Sequence, residues 1–207
     1  MVERQLRARG IHDERVLAAM GAVPRERFVP ADLLSAAYAD GALPTMSGQT
    51  ISQPYIVALM TELLAPEPGD RVLEVGTGTG YQAAILASMG CRVTGYERLP
   101  ELAAGARARL AELDLGDLVD VRVGDGSVGD PGGAPWPRII VAAAAPDVPD
   151  TLTRQLAEGG RLVVPVGGRW EQELTLVVRD GDRLRTSRHG GCIFVPLVGE
   201  GGYKGHE

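Results

Sequence analysis

Between residues 70 and 166, short apolar runs alternate with stretches of helical spacing. The runs at 71–75, 92–96, 119–123, 138–141 and 162–166 are rich in Val, Ile and Leu and read as strands. The stretches at 81–89, 100–113 and 149–156 read as helices. Strands alternating with helices predict βαβ units and a mainly parallel sheet. Before this block, residues 1–65 read mostly as helix, at 2–9, 13–20 and 55–64. Val16, Leu17 and Met20 share one face of the second segment, and Gly10 and Gly21 are its expected neighbours as stop signals. Pro54 fits the first turn of the third helix, where its missing N–H has no intrahelical partner. Ser52 is its predicted N-cap, and Pro66, Pro68 and Gly69 end it. After 167 the helices stop. Leu174, Leu176 and Val178 alternate as an antiparallel strand, and Asp180-Gly181-Asp182 suits a hairpin turn. Residues 183–185 and 192–198 supply the returning strand.

Composition narrows the class. The 207 residues favour one domain spanning 1–207. It would comprise a helical cover and substrate loop at 1–65, a βαβ core at 70–166 and antiparallel strands at 167–207. The net charge of 21 − 27 = −6 argues against nucleic acid or a membrane surface as the main partner. Cys91 and Cys192 form no CxxC pair, and His12, His189 and His206 are scattered. A metal site is not expected, and a reducing compartment is favoured. The N-terminus is charged at once, without the apolar core of a signal peptide, so a cytoplasmic location is expected. Lys204 is the only lysine, which reads as base composition and not as a phosphate-binding surface. The 28 Gly and 14 Pro make up a fifth of the chain and first suggest extensive loops.

The chemistry is carried at strand ends. Glu74-Val75-Gly76-Thr77-Gly78-Thr79-Gly80-Tyr81 joins the first strand to a helix. Glycines there permit a sharp turn and close approach of a ligand to backbone N–H groups. A dinucleotide fingerprint needs glycine at 81, where Tyr81 stands. The GxGxG spacing after an acidic residue is instead the common signature of class I methyltransferases, which bind S-adenosylmethionine. Glu97, followed by Arg98, ends the second strand and is placed to accept ribose hydroxyls. Asp125 and Gly126 follow the third strand, suited to an adenine amino group and its ring. Each acid alone could be a solvated loop residue. Together they lie where open α/β sheets bind ligands, outside the carboxyl ends of the strands.

The chain resembles the protein-L-isoaspartate O-methyltransferase family along nearly its whole length. The most specific match is Gly48-Gln49-Thr50-Ile51-Ser52-Gln53-Pro54-Tyr55. Others are the loop 72–81, Tyr96-Glu97-Arg98, Gly124-Asp125-Gly126, Ala143-Ala144-Ala145-Pro146, 159–167 and Phe194-Val195-Pro196-Leu197. The resemblance implies a doubly wound, mainly parallel seven-stranded α/β sheet of the Rossmann-like class I type, with its last two strands interchanged and an N-terminal helical cover. It implies methyl transfer from S-adenosylmethionine, giving S-adenosylhomocysteine without a metal. The acceptor would be the α-carboxylate of L-isoaspartyl, and more weakly D-aspartyl, residues of damaged proteins; the ester then closes to a succinimide. By the same match Ser52 is the active-site residue. Gln49, Thr50 and Ile51 would line the substrate loop, and Val195, Pro196 and Leu197 would cover the methionine end of the cofactor. A monomer is the family default.

Such chemistry needs no base, because a carboxylate is ionised at neutral pH. The scarcity of His and Lys therefore fits. The alternative is a related carboxyl O-methyltransferase acting on a dedicated peptide precursor in natural-product biosynthesis. A non-catalytic S-adenosylmethionine-binding module would require loss of Ser52, Glu97 or Asp125, and all are present. The sequence departs from the family at Thr45-Met46-Ser47, where Ile-Gly-x is frequent, at Ala142 in place of threonine, and at Ile193 in place of arginine.

Overall fold

The computed structural model describes residues 1–203; Lys204, Gly205, His206 and Glu207 lie outside the described residues. The N-terminal cover starts with irregular helical turns at Val2–Leu6 and Arg7–Arg9, ended by Gly10 in the left-handed region. Helix α1, Glu14–Ala22, is capped by the Asp13 carboxylate, which accepts the Arg15 N–H. It runs through Gly21, which is therefore no stop. A two-stranded hairpin, β1 (Leu43–Pro44) and β2 (Thr50–Ile51), precedes helix α2, Pro54–Leu64.

Alternating elements follow: β3 (Arg71–Val75), α3 (Tyr81–Ser88), β4 (Arg92–Glu97), α4 (Pro100–Glu112), β5 (Val119–Val123) and β6 (Trp136–Val141). Then come α5 (Asp150–Thr153), β7 (Leu156–Gly167), β8 (Gln172–Asp180) and β9 (Arg183–Cys192). The seven-stranded sheet has the order β5-β4-β3-β6-β7-β8-β9. Its strands are parallel from β5 to β7, and β8 and β9 are antiparallel.

Alternate strand residues face two cores. Val72, Val93, Ile140 and Val163 pack with the N-terminal cover, α2, α3 and α4. Leu73, Val75, Ile139 and Leu162 pack on the other face with Trp136, Leu152 and Leu197. Helix α3 is buried from Tyr81 to Ala87 because the cover closes its outer side. Winding reverses between β3 and β6, and that switch point is where such sheets hold ligands.

Three further expectations need correction. The segment expected as a helix at 149–156 is helical only at Asp150–Thr153, and Leu156 already begins β7. The returning strand is Arg183–Cys192; residues 193–198 form no strand beyond isolated bridges from Pro196 to Ala144 and from Val198 to Tyr203. Ser52 is not the N-cap of α2: Gln53 holds that position, without a side-chain cap.

Candidate active site

The loop after β3 turns on Gly76, Gly78 and Gly80, all at positive φ. Its first N–H groups, from Gly76 and Thr77, both donate to the Tyr96 carbonyl at the end of β4 (2.9 and 3.2 Å). Glu97 completes the tie. One carboxylate oxygen accepts the Gly78 N–H at 2.8 Å, and the other accepts the Leu99 N–H at 3.0 Å. Each oxygen retains a lone pair, so a buried carboxylate already aimed by the backbone remains able to accept hydroxyl groups.

A cleft of about 940 Å³, including its open mouth, lies over this loop. Its floor comes from Gly76, Thr77, Gly78, Thr79 and Tyr81, with Glu97, Arg98 and Gly126 beside them. Gln49, Thr50, Ile51 and Ser52 form one wall, and Val195, Pro196 and Leu197 another. The small hairpin presents the first wall: Leu43 pairs with Ile51, and the Thr45 N–H donates to the Gln49 carbonyl at 2.8 Å. Ile51 is buried as its anchor, Thr50 is exposed and Ser52 is half-buried. The second wall is pinned across the end of β6. Ala144 donates its N–H to the Val195 carbonyl (2.8 Å), and its own carbonyl accepts the Leu197 N–H (2.7 Å).

Glu74, Gly80 and Asp125 do not line the cleft. Gly80 serves packing: a Cβ there would lie 3.2 Å from Ala106 of α4. Glu74 lies fully buried beneath the loop, with both carboxylate oxygens lacking a hydrogen-bond partner. Burial pushes its pKa up to about 7, with the nearby Glu97 adding to the rise and Thr77 opposing it. Asp125 caps the turn Gly126–Val128 instead. One oxygen accepts the N–H and hydroxyl of Ser127 (2.9 and 2.6 Å), and the other accepts the Glu200 N–H (2.9 Å). Burial works against its ionisation, but these donors outweigh it and hold the pKa below the usual carboxylate range.

That contact accounts for the glycine-rich end at 199–202. A Cβ at Gly199 would fall on Asp125, at Gly201 on the Ser127 carbonyl, and at Gly202 on the Leu197 carbonyl. The strap closes with Tyr203, whose N–H donates to the Leu197 carbonyl and whose hydroxyl donates to the Gly167 carbonyl, both at 2.7 Å. Sequence reasoning also missed Val57, Met60, Gln82, Tyr96 and Phe194 on the cleft wall. Val57, Met60 and Gln82 sit on helices α2 and α3 with no signal that separates them from packing residues, and Tyr96 and Phe194 lie inside matching stretches whose other residues carried the site assignment.

The departures have places too. Ser47 adopts a left-handed conformation (φ 58°) and donates its hydroxyl to Glu101 at 3.0 Å, tying the hairpin tip to α4. Ala142 lines the cleft against Gly76, and Ile193 is exposed. Among the described residues, no cluster of His, Cys, Asp and Glu is arranged to hold a metal, and no helix is long and apolar enough to cross a membrane.

Residues 1–202 match the model of the protein-L-isoaspartate(D-aspartate) O-methyltransferase family. The chain belongs to this family. It is 55% identical over 204 residues to the protein-L-isoaspartate O-methyltransferase of Methanoregula boonei, covering 99% of this chain and 94% of that one. It is 56% identical over 199 residues to that of Methylorubrum populi, covering 96% and 93%. Among solved structures it resembles a protein-L-isoaspartate O-methyltransferase at 30% identity and a TM-score of 0.85, over 98% of this chain and 67% of that one. A Plasmodium falciparum family structure in complex with S-adenosyl-L-homocysteine matches at 25% identity and a TM-score of 0.80, over 95% and 96% of the two chains. The isoaspartyl methyltransferase fold expected from the motifs is therefore the fold found, including strand β8 lying between β7 and β9.

Proposed function

We propose that this chain transfers a methyl group from S-adenosylmethionine to the α-carboxylate of L-isoaspartyl residues, and more weakly D-aspartyl residues, in damaged proteins. The observation that carries the reading is the convergence of the Gln49–Ser52 wall, the glycine loop with Glu97, and Val195–Leu197 on one cleft. The cofactor lies over the glycine loop, which its own N–H bonds to Tyr96 and Glu97 hold in shape, with Glu97 at the ribose and Gly126 leaving room for the adenine. Glu74 and Asp125 act one layer back, the first under the loop and the second through the turn that carries Gly126.

When bound, the cofactor supplies a sulfonium methyl whose C–S bond breaks as a carboxylate oxygen forms the new C–O bond, and S-adenosylhomocysteine leaves. No proton moves, so the chain's task is alignment and exclusion of water. Ser52 orients the acceptor carboxylate by donating its hydroxyl. It is free for this because it does not cap α2. Thr50 and Gln49 meet the flanking peptide, and Pro196 and Leu197 cover the reacting end. Repair follows when the ester closes to a succinimide that reopens partly to normal aspartate.

The test is transfer of labelled methyl to an isoaspartyl peptide, followed by mild alkali. Release of the label as volatile methanol is expected for a carboxyl ester. Label that survives alkali, or no transfer, contradicts the reading.

A further inference from the structure

Arg25 belongs to none of the motifs, yet it is wholly buried. It stands in the turn Arg25–Phe28, whose Phe28 ring lies 5.4 Å from that of Tyr81. Its Nε donates to the Ala37 carbonyl at 2.9 Å, and one terminal nitrogen donates to the Ser52 carbonyl at 2.8 Å. The guanidinium carbon sits 4.8 Å from the centroid of the Tyr81 ring. The remaining nitrogen, Nη1, is buried without a partner. No carboxylate among the described residues pairs with this cation. A buried charge is ordinarily paired, because desolvation is costly, and burial lowers the Arg25 pKa here. An arginine nevertheless stays charged. Both groups it holds, Ser52 and Tyr81, line the cleft.

We propose that Arg25 is a positioning residue for the methyl acceptor. It fixes Ser52 through the Ser52 carbonyl, and its uncompensated charge makes that wall of the cleft attract an anionic group. The acceptor carboxylate is the anion that the reaction brings to that wall. This inference rests on the reading of the Ser52 wall as the acceptor site. A packing strut alone would stabilise the cover without distinguishing a charged acceptor from a neutral one.

The test is the affinity of the enzyme, saturated with S-adenosylhomocysteine, for an isoaspartyl peptide and for the same peptide bearing an α-carboxamide. The wild type is expected to prefer the carboxylate. In Arg25→Met that preference falls by about tenfold or more, the scale of a removed buried charge contact, while S-adenosylhomocysteine affinity stays nearly unchanged. Arg25→Lys retains the charge and most of the preference. Arg25→Gln serves as the neutral variant should the methionine variant not fold. An unchanged carboxylate preference in a folded neutral variant overturns the proposal. So does a loss of S-adenosylhomocysteine affinity as large as the loss of preference. A wild type that prefers neither peptide overturns the acceptor-site reading itself, and this inference with it.

Discussion

The Glu97 carboxylate accepts the Gly78 N–H at 2.8 Å, so the end of the second parallel strand and the middle of the glycine loop are one unit. The same carboxylate holds the start of the chain leading to α4 through the Leu99 N–H. Removing it frees two backbone donors and takes away the proposed ribose acceptor. Glu97→Ala is expected to weaken S-adenosylmethionine binding by about 10- to 100-fold, the range for hydrogen bonds to a charged group. Isothermal titration with S-adenosylhomocysteine measures this directly. An affinity within twofold of wild type would remove Glu97 from the cofactor site.

Ser52 is expected to behave oppositely. Ser52→Ala should lower kcat for an isoaspartyl peptide by about tenfold or more, the low end for a lost hydrogen bond to a charged group. Cofactor affinity should hardly change, because the proposed role of Ser52 is on the acceptor and its side chain caps no helix. Steady-state kinetics with both substrates varied separates the two effects. A drop in cofactor affinity with kcat intact would make Ser52 a structural residue.

Glu74 gives a pH dependence. Its carboxyl titrates near pH 7 in the folded chain because burial disfavours the anion, and near the ordinary 4.5 when unfolded. The folded state therefore binds the proton more tightly. The stability it gains is fully present below pH 4.5 and declines as pH rises. It is lost once pH passes about 7, a change of up to about 3 kcal/mol. Glu74→Gln should flatten the decline in melting temperature between pH 5 and 8. An unaltered pH profile in the variant would show that Glu74 is ionised in its buried position.

The strap at 199–203 predicts a packing effect without a change in charge. A Cβ at Gly202 would lie 2.1 Å from the Leu197 carbonyl oxygen. Gly202→Ala should cost about 1–3 kcal/mol, as overpacking does, and should expose the segment after Val198 to proteolysis. Asp125→Ala should act in the same place but more mildly, about 1 kcal/mol for a lost cap. Denaturant unfolding and limited proteolysis read both. Unchanged stability in Gly202→Ala would mean the strap moves aside freely.

Much of this was legible from residue patterns, and the exceptions have physical causes. The parallel strands stand out because both faces are buried, so Val72, Leu73, Ile139 and Ile140 read as continuous apolar runs. Strand β9 does not, because it is an exposed edge held by backbone pairing to β8, and its Arg-rich sequence needs no alternation. The start of β7 is hidden by Glu158, Gly159 and Gly160, which are polar or permissive and fall in the register shift between the Leu156 and Arg161 pairings to β6. Residues that line the cleft through a motif were legible; the capping role of Asp125 was not, because one of its donors, Glu200, lies 75 residues away in sequence. Arg25 was invisible for a similar reason. Nothing in the sequence separates a buried guanidinium from the many exposed ones.

The central claim is that this cleft selects an isoaspartyl carboxylate. It is tested most directly by kcat/KM for methyl transfer to an isoaspartyl peptide beside its normal-aspartate twin, identical in every other residue. The account predicts efficient methylation of the isoaspartyl peptide and none above background for its twin. Equal methylation of both, or of neither, would contradict it.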